Sequence, residues 1–452
     1  MGASTSIGTD SEVGRLRTVL VHRPGAELNR VTPRTRDRLR FDGLPWLARA
    51  QREHDEFTAV LRDRGVEVLY ITELLQDVLE YQAAADDAIG SVLADAELGD
   101  ELGRGIRGYL ESLAPQDLAS ALIGGLTPEE LRTGRGLVYE LLDPHDFIVE
   151  PLPSLVFSRD SSVWIGDRPV VTSLAGPRRR EADLLAVIYD HHPRFRDAKL
   201  PYRAGRRYLD GGDILLLAPG VLAIGVGVRT NPASVEQLAR HMLQTGEAHT
   251  VLAVPMNQRG ERGHLDTTCT VVDAGTVVMA PYHAFTLTAL TITAPHGEPR
   301  VSRPRPFIEA AALALGIGRL TVIDTGLDLP GGERGQWDDG GNALALGNRV
   351  TICDERNVET NERLADAGFE VLTVPWRELG GGRGGPRCLC APLIRDPVGA
   401  LADDDPASDV WTGHLARPLP AGAASASGAA GVPGPSDPVS GRQRRAGELE
   451  PA

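Results

Sequence analysis

Cysteine is scarce in this chain and lysine is almost missing: the 452 residues include Cys269, Cys353, Cys388 and Cys390, and Lys199 is the single lysine. The four cysteines show no paired spacing of a secreted framework, so a reducing compartment is expected. Cys388 and Cys390 could form half of a zinc site, but no second Cys/His pair at ligand spacing follows them, and no metal is expected. No apolar run approaches the length of a membrane span, and the N-terminus has neither the basic nor the apolar stretch of a secretion signal. A cytoplasmic location without membrane contact is expected. Met1-Gly2-Ala3-Ser4-Thr5-Ser6 fits a myristoylation pattern, yet so little lysine beside abundant Arg, Ala and Gly suggests a GC-rich bacterial genome, which discounts that match. Positive charge is also in deficit. A net charge of −15 repels phosphate backbones and excludes nucleic acid as a partner.

Hydrophobic content of 42% and charged content of 24% are those of a globular protein long enough for one large domain or two ordinary ones. The first strand reads Arg15-Leu16-Arg17-Thr18-Val19-Leu20-Val21-His22. A helix with apolar Phe57, Val60 and Leu61 follows, then a second strand from Gly65 to Ile71. From Thr72 to Leu142, Leu, Ala, Glu and Asp dominate and β-branched residues are few, which predicts several helices. Thr127-Pro128-Glu129-Glu130 among them is a capping-box start.

Beyond this helical stretch one unit repeats: a polar motif ending in an acid or amide, an apolar hairpin, a helix and a further strand. The acids or amides are Asp160, Asp213, Asp266 and Asn342. The first two steps between them are about 53 residues each and the third about 76, the excess falling in the Pro/Arg-rich stretch His296 to Pro306. With the N-terminal unit and the segment carrying Cys388, the count is near five, and a repeat architecture brings the equivalent acids to one axis. Asn231-Pro232 opens one of the repeat helices, and Ala367-Gly368 closes another. From about Ala416 the chain is Ala, Gly, Ser and Pro, too poor in apolar residues to fold.

Near the end of the foldable part lies Gly381-Gly382-Arg383-Gly384-Gly385-Pro386-Arg387-Cys388, a loop whose glycines permit sharp turns and close approach to a ligand. Alone, Cys388 reads as a small buried hydrophobe, the commoner fate of a cysteine. The flanking Arg383 and Arg387 favour a thiolate and hence a nucleophile. In His264-Leu265-Asp266 the two polar residues alternate along a strand and point to one face; alone this is a solvated surface, just as Asp210-Gly211-Gly212-Asp213 alone is equally a hairpin turn. The repeat period gathers Asp160, Asp213, His264 and Asp266 around the thiol. Carboxylates around a thiol suit a planar cation such as guanidinium, which they bind in bidentate fashion. The thiol can attack the guanidinium carbon, and the histidine can protonate the departing amine and later activate water.

These motifs, with Phe157-Ser158-Arg159-Asp160, Trp337-Asp338-Asp339-Gly340-Gly341-Asn342 and Gly384-Gly385-Pro386-Arg387-Cys388, resemble those of the arginine deiminases of the guanidine-modifying superfamily, from about Ser11 to Trp411. The resemblance implies an α/β fold, a fivefold pseudo-symmetric α/β propeller with an inserted all-helical domain. Residues 1–71 and 143–415 would form the catalytic propeller, 72–142 the helical insertion and 416–452 a disordered tail. It further implies hydrolysis of L-arginine to L-citrulline and ammonia through a covalent cysteine intermediate, with no cofactor. Cys388 corresponds to the nucleophile, His264 to the general acid and base, and Asp210 to the histidine's supporting carboxylate. Asp160, Asp266 and Asp213 fall in the substrate-binding set, as do Arg178, Arg229 and Arg383. Ser154 stands where the family usually has an asparagine for the amino-acid end of arginine, and Asp210 where it usually has glutamate. The implied partner is a small guanidine compound, and a homo-oligomer is compatible with it. Two alternatives remain: an amidinotransferase or a deiminase of another guanidine, kept open by Asp210 but opposed by the helical insertion, and a non-catalytic guanidine-binding protein, opposed by the full set Cys388, His264, Asp160 and Asp266.

Overall fold

In this computed structural model the described residues are 7–94, 98–132, 134–256, 263–326, 340–382 and 384–398. Arg383, the motif residues Trp337 to Asp339 and the expected tail lie outside them. Eighteen strands fall into five sheets among the described residues. Their order repeats one pattern, a tight antiparallel pair followed by a helix that crosses over to a parallel third strand, as parallel pairing requires.

The first sheet contains β1 (Leu16–Val21) and β2 (Glu67–Tyr70), joined by the helix Leu47–Asp63. Phe57 and Leu61, one turn apart on that helix, are fully buried. The next has β3 (Ser162–Ile165), β4 (Arg168–Val171) and β5 (Tyr202–Arg203), with helix Arg179–His191 crossing over. The third has β6 (Ile214–Ala218), β7 (Val221–Val226) and β8 (Thr250–Pro255), with helix Pro232–Thr245. Asn231 caps that helix as expected, its side chain accepting the Ala233 amide at 2.8 Å.

The fourth sheet holds β9 (Cys269–Asp273) and β10 (Thr276–Met279). Before its crossover helix Phe307–Leu315 come β11 (Thr288–Thr293), β12 (Arg300–Val301) and β13 (Arg305–Pro306). β11 pairs with β8 and so widens the third sheet. The long repeat step therefore holds an added antiparallel edge that begins well before His296. β14 (Thr321–Asp324) then completes the fourth sheet, parallel to β10. The fifth has β15 (Leu344–Gly347), β16 (Val350–Asp354), helix Val358–Asp366 and β17 (Glu370–Val374).

The last strand, β18 (Cys390–Arg395), returns to the first sheet and pairs antiparallel with β1, Val21 opposite Cys390. The first and last of the described strands thus belong to one sheet. In consequence Cys388 stands just ahead of β18 as Asp160 stands ahead of β3, Asp213 ahead of β6, Asp266 ahead of β9 and Asn342 ahead of β15.

One local expectation is corrected. His264-Leu265-Asp266 is not strand: His264 is the N-cap of a single helical turn, Leu265–Thr268. The reason is a carboxylate from elsewhere in the chain, since Asp213 Oδ1 accepts the Leu265 amide at 2.9 Å, and Thr267 Oγ1 donates back to the His264 carbonyl at 2.8 Å. Ser158–Ser161 and Gly211–Asp213 are likewise single turns.

Between β2 and β3 come helices Ile71–Leu79, Gln82–Leu93, Asp100–Glu111, Pro115–Gly124, Pro128–Leu131 and Leu137–Leu141. The capping box at Thr127 and Glu130 is formed. Their apolar stripes, including Leu75, Ile89, Ile106 and Leu122, share one buried cluster with Leu184, Leu185 and Ile188 of helix Arg179–His191 and with Trp164 and Leu393. The helical segment therefore completes the core of its neighbours.

Candidate active site

The turns ahead of the hairpins are fastened to one another. Ser158 Oγ donates to the carbonyls of Leu20 (3.0 Å) and Leu389 (2.7 Å), which ties the turn of Asp160 to β1 and to the segment of Cys388. The Arg159 amide donates to the Cys388 carbonyl at 3.1 Å. Thr230 Oγ1 accepts the Asp210 amide at 3.1 Å and donates to Asp213 Oδ2 at 2.5 Å. A Cβ at Gly212 would lie 2.3 Å from His264 Nδ1, and one at Gly385 2.5 Å from Asn342 Oδ1. Both positions need glycine to let side chains of other units approach.

Five side chains meet at this point, all buried: Cys388, His264, Asp160, Asp210 and Asp266. Cys388 Sγ donates to Asp266 Oδ2 at 3.2 Å and accepts from Asn342 Nδ2 at 3.3 Å. His264 Nε2 is 3.0 Å from Asp210 Oδ2. Its Nδ1 is 3.8 Å from Asp160 Oδ1 and 3.6 Å from Asp266 Oδ1. Those two carboxylate oxygens are buried and make no hydrogen bond among the described residues. Two acceptors so placed call for a cation with several N–H groups.

The charges are strongly perturbed. Burial and Arg229 oppose protonation of His264, but Asp210 and Asp160 outweigh them and raise its pKa well above 6.5. Burial and then Asp266 push the Cys388 thiol up. The resting pair is thus imidazolium and neutral thiol. Asp210 is held below the usual carboxylate range against burial, chiefly by His264 and then by Arg229. Burial, with Asp210 beside it, raises Asp160. One oxygen of Asp160, one ring nitrogen of His264 and Sγ of Cys388 lie within 4.8 Å of one another, a spacing that would suit a metal ion. Ligation requires the deprotonated thiolate and imidazole, whereas this environment favours the protonated forms of both.

The expected shell is arranged as follows. Asp210, although shorter than the glutamate of the family pattern, still reaches the imidazole. Asp213 faces away from the thiol into Thr230 and the Leu265 amide, and burial raises its pKa to about 6. Arg178 spans Asp160 Oδ2 (2.9 Å) and Glu181 (3.0 Å). Arg229 Nη1 is 3.7 Å from Asp210 Oδ2. Ser154 is buried and, with Arg178, Glu181 and Arg40, lines a cavity of about 70 Å³. Arg387 does not serve the thiol directly as its position in the sequence suggests: its guanidinium donates to Asp266 Oδ2 and to Glu12 Oε1, each at 2.8 Å.

Sequence reasoning missed Glu12, Arg159 and Glu181, and took Asn342 only as a marker of the repeat. Asn342 had a signal, its place in the period. Glu12 had none, because its partners Arg159, Leu216 and Arg387 lie at least 147 residues away.

A buried thiol, a buried imidazole and two carboxylate oxygens without hydrogen bonds among the described residues, gathered at the ends of repeated αβ units, are the site of a guanidine-modifying enzyme. The Arginine deiminase family model matches residues 37–395. The arginine deiminase of Rhodococcus erythropolis is 50% identical over 405 residues, covering 88% of this chain and 100% of the relative. That of Mycobacterium tuberculosis is 51% identical over 398 residues, covering 87% and 99%. The chain belongs to the arginine deiminase family. Among solved structures, DDAH from Pseudomonas aeruginosa complexed with citrulline is similar at a TM-score of 0.49 and 14% identity, covering 84% of this chain and 100% of that one.

Proposed function

We propose that the chain hydrolyses L-arginine to L-citrulline and ammonia, with Cys388 as nucleophile and His264 as general acid and base. The observation that carries this is the pair of buried oxygens without a hydrogen bond among the described residues, Asp160 Oδ1 and Asp266 Oδ1, beside the thiol. A guanidinium between them satisfies both and brings its carbon to Sγ. The Sγ proton passes to Asp266 Oδ2 as the C–S bond forms. His264 then protonates one amino nitrogen of the tetrahedral adduct, the C–N bond breaks, and ammonia departs to leave a covalent thiouronium intermediate on Cys388. Neutral His264 takes a proton from water, whose oxygen adds to the same carbon. The C–S bond breaks, sulfur recovers the proton from Asp266, and the hydroxyl proton leaves to solvent, giving the ureido product.

Arg178 and Arg229, with Ser154, take the amino-acid end in this reading, and Arg383 is the substrate-binding arginine of the loop beside the nucleophile. Asp213 acts on binding through the His264 turn that it caps. The five sheets support a fivefold pseudo-symmetric propeller, with 72–142 as its helical insertion, and the four free cysteines fit a location in the cytoplasm. The test incubates purified protein with arginine, and separately with arginine plus glycine, and assays ammonia, citrulline and ornithine. Citrulline and ammonia in equal amounts are expected from arginine alone. Ornithine that appears only with glycine would reveal an amidinotransferase, and no product would overturn the reading.

A further inference from the structure

Beneath the thiol lies a group of buried charges that the reaction above does not use. Glu12 is 4% exposed and sits in the segment just before β1. Its carboxylate accepts Arg387 Nη2 at 2.8 Å and Nε at 3.4 Å, both terminal nitrogens of Arg159 at 3.5 Å, and the Leu216 amide at 3.4 Å. These partners come from the units of β18, β3 and β6, so one side chain joins three of the five units. Arg387 is the link upward, since its Nη1 reaches Asp266 Oδ2, the oxygen that also receives the thiol proton. Arg395 is buried nearby and donates to the carbonyls of Gly14 and Ala345.

We infer that Glu12 is a positioning residue for the nucleophile: through Arg387 it fixes the rotamer of Asp266, and by neutralising Arg159 and Arg387 it keeps the resting Cys388 protonated until substrate arrives. This deepens the deiminase reading and rests on it. The described charged groups nearest the thiol are Asp266 and Asp160 on the acidic side and His264 on the basic side, with Asp210 behind His264, Arg178 on Asp160 and Arg387 on Asp266. Arg159, Arg395 and Glu12 lie below. Loss of Glu12 leaves the lower layer wholly cationic, which favours thiolate. Consistent with its partners, Glu12 is held at about 2 despite burial, by Arg159 and Arg387.

The experiment follows iodoacetamide alkylation of Cys388, mapped by mass spectrometry, against pH in the wild type, Glu12→Gln and Glu12→Asp, alongside kcat and KM for arginine. Glu12→Gln should move the alkylation midpoint down by about 1 pH unit. Glu12→Asp keeps the charge and should restore the midpoint, while its shorter reach should still lower kcat by roughly tenfold or more through misplacement of Asp266. An unchanged midpoint in folded Glu12→Gln, or an equal shift in Glu12→Asp, overturns the inference. Should Glu12→Gln not fold, a wild-type kcat in Glu12→Asp overturns it alone. Alkylation needs no substrate, so it distinguishes this outcome from failure of the deiminase reading, which would show as absence of citrulline from the wild type.

Discussion

Asp210 meets Nε2 of His264 at 3.0 Å, and this contact turns the other ring nitrogen, Nδ1, toward the open oxygens of Asp160 and Asp266. The acid therefore fixes both the charge and the direction of the imidazole. Asp210→Asn should lower the His264 pKa and draw the alkaline limb of kcat downward, because the protonated ring is needed to expel ammonia. The linkage has a definite sign. With a folded pKa above the unfolded 6.5, the charged ring contributes stability that is complete below about pH 6.5 and is lost as pH rises through the folded value. A kcat profile of Asp210→Asn that overlays the wild type would remove Asp210 from this role.

Cys388→Ser should abolish turnover, by at least about a thousandfold, while arginine binding and the melting temperature stay close to wild type. The hydroxyl is a weaker nucleophile, and the carboxylates that bind the cation are untouched. Residual activity of a tenth would exclude covalent catalysis at this position. Calorimetric titration with arginine checks the binding half.

A bound guanidinium should lower the thiol pKa, since it neutralises Asp160 and Asp266 and adds positive charge beside sulfur. Thiolate absorbance against pH in a His264→Ala variant, with and without an unreactive guanidinium ligand, reads this directly. A midpoint that stays put on ligand binding counts against substrate-assisted ionisation.

Ser154→Asn should lower KM for arginine about threefold with little change in kcat. The amide would extend into the cavity of about 70 Å³ beside Arg178 and add hydrogen bonds to the amino-acid end of the substrate. A raised KM would mean that the cavity is shaped for another guanidine.

Glu53 offers a test of stability away from the chemistry. This fully buried residue of helix Leu47–Asp63 accepts the amides of Glu378 (2.8 Å) and Leu379 (3.1 Å), at the start of the turn that leads to the glycine loop. Glu53→Ala should cost about 2 kcal/mol by denaturant titration, because the buried Leu379 amide and the half-buried Glu378 amide both lose a charged acceptor. A loss under about 0.5 kcal/mol would show that water replaces the carboxylate without penalty.

The repeat was legible because its acids and amide recur ahead of apolar hairpins, and the order of sheets followed from it. The turn at His264 was not, because its cap, Asp213, comes from 52 residues away while the local alternation reads as strand. The added edge β11 to β13 went unread because the excess length was assigned to His296–Pro306 alone: β11 lies ahead of that stretch and takes its pairing from β8, 35 or more residues back, while β12 and β13 are two-residue strands paired with β11. Arg387 was assigned to the thiol by proximity in sequence. Glu12, unremarkable in its own segment, takes up that charge from the far end of the chain.

The pairing of β1 with β18 also bears on how the enzyme comes into being. A chain emerging from the ribosome presents β1 hundreds of residues before β18 exists, so the sheet that β18 completes, just after Cys388, is among the last to form. Until then β1 has β2 on one side only, and the thiol has not been made. Products of interrupted synthesis that stop short of Cys388 thus lack both the candidate thiol and the strand that closes the first sheet, however much of the other sheets they have folded.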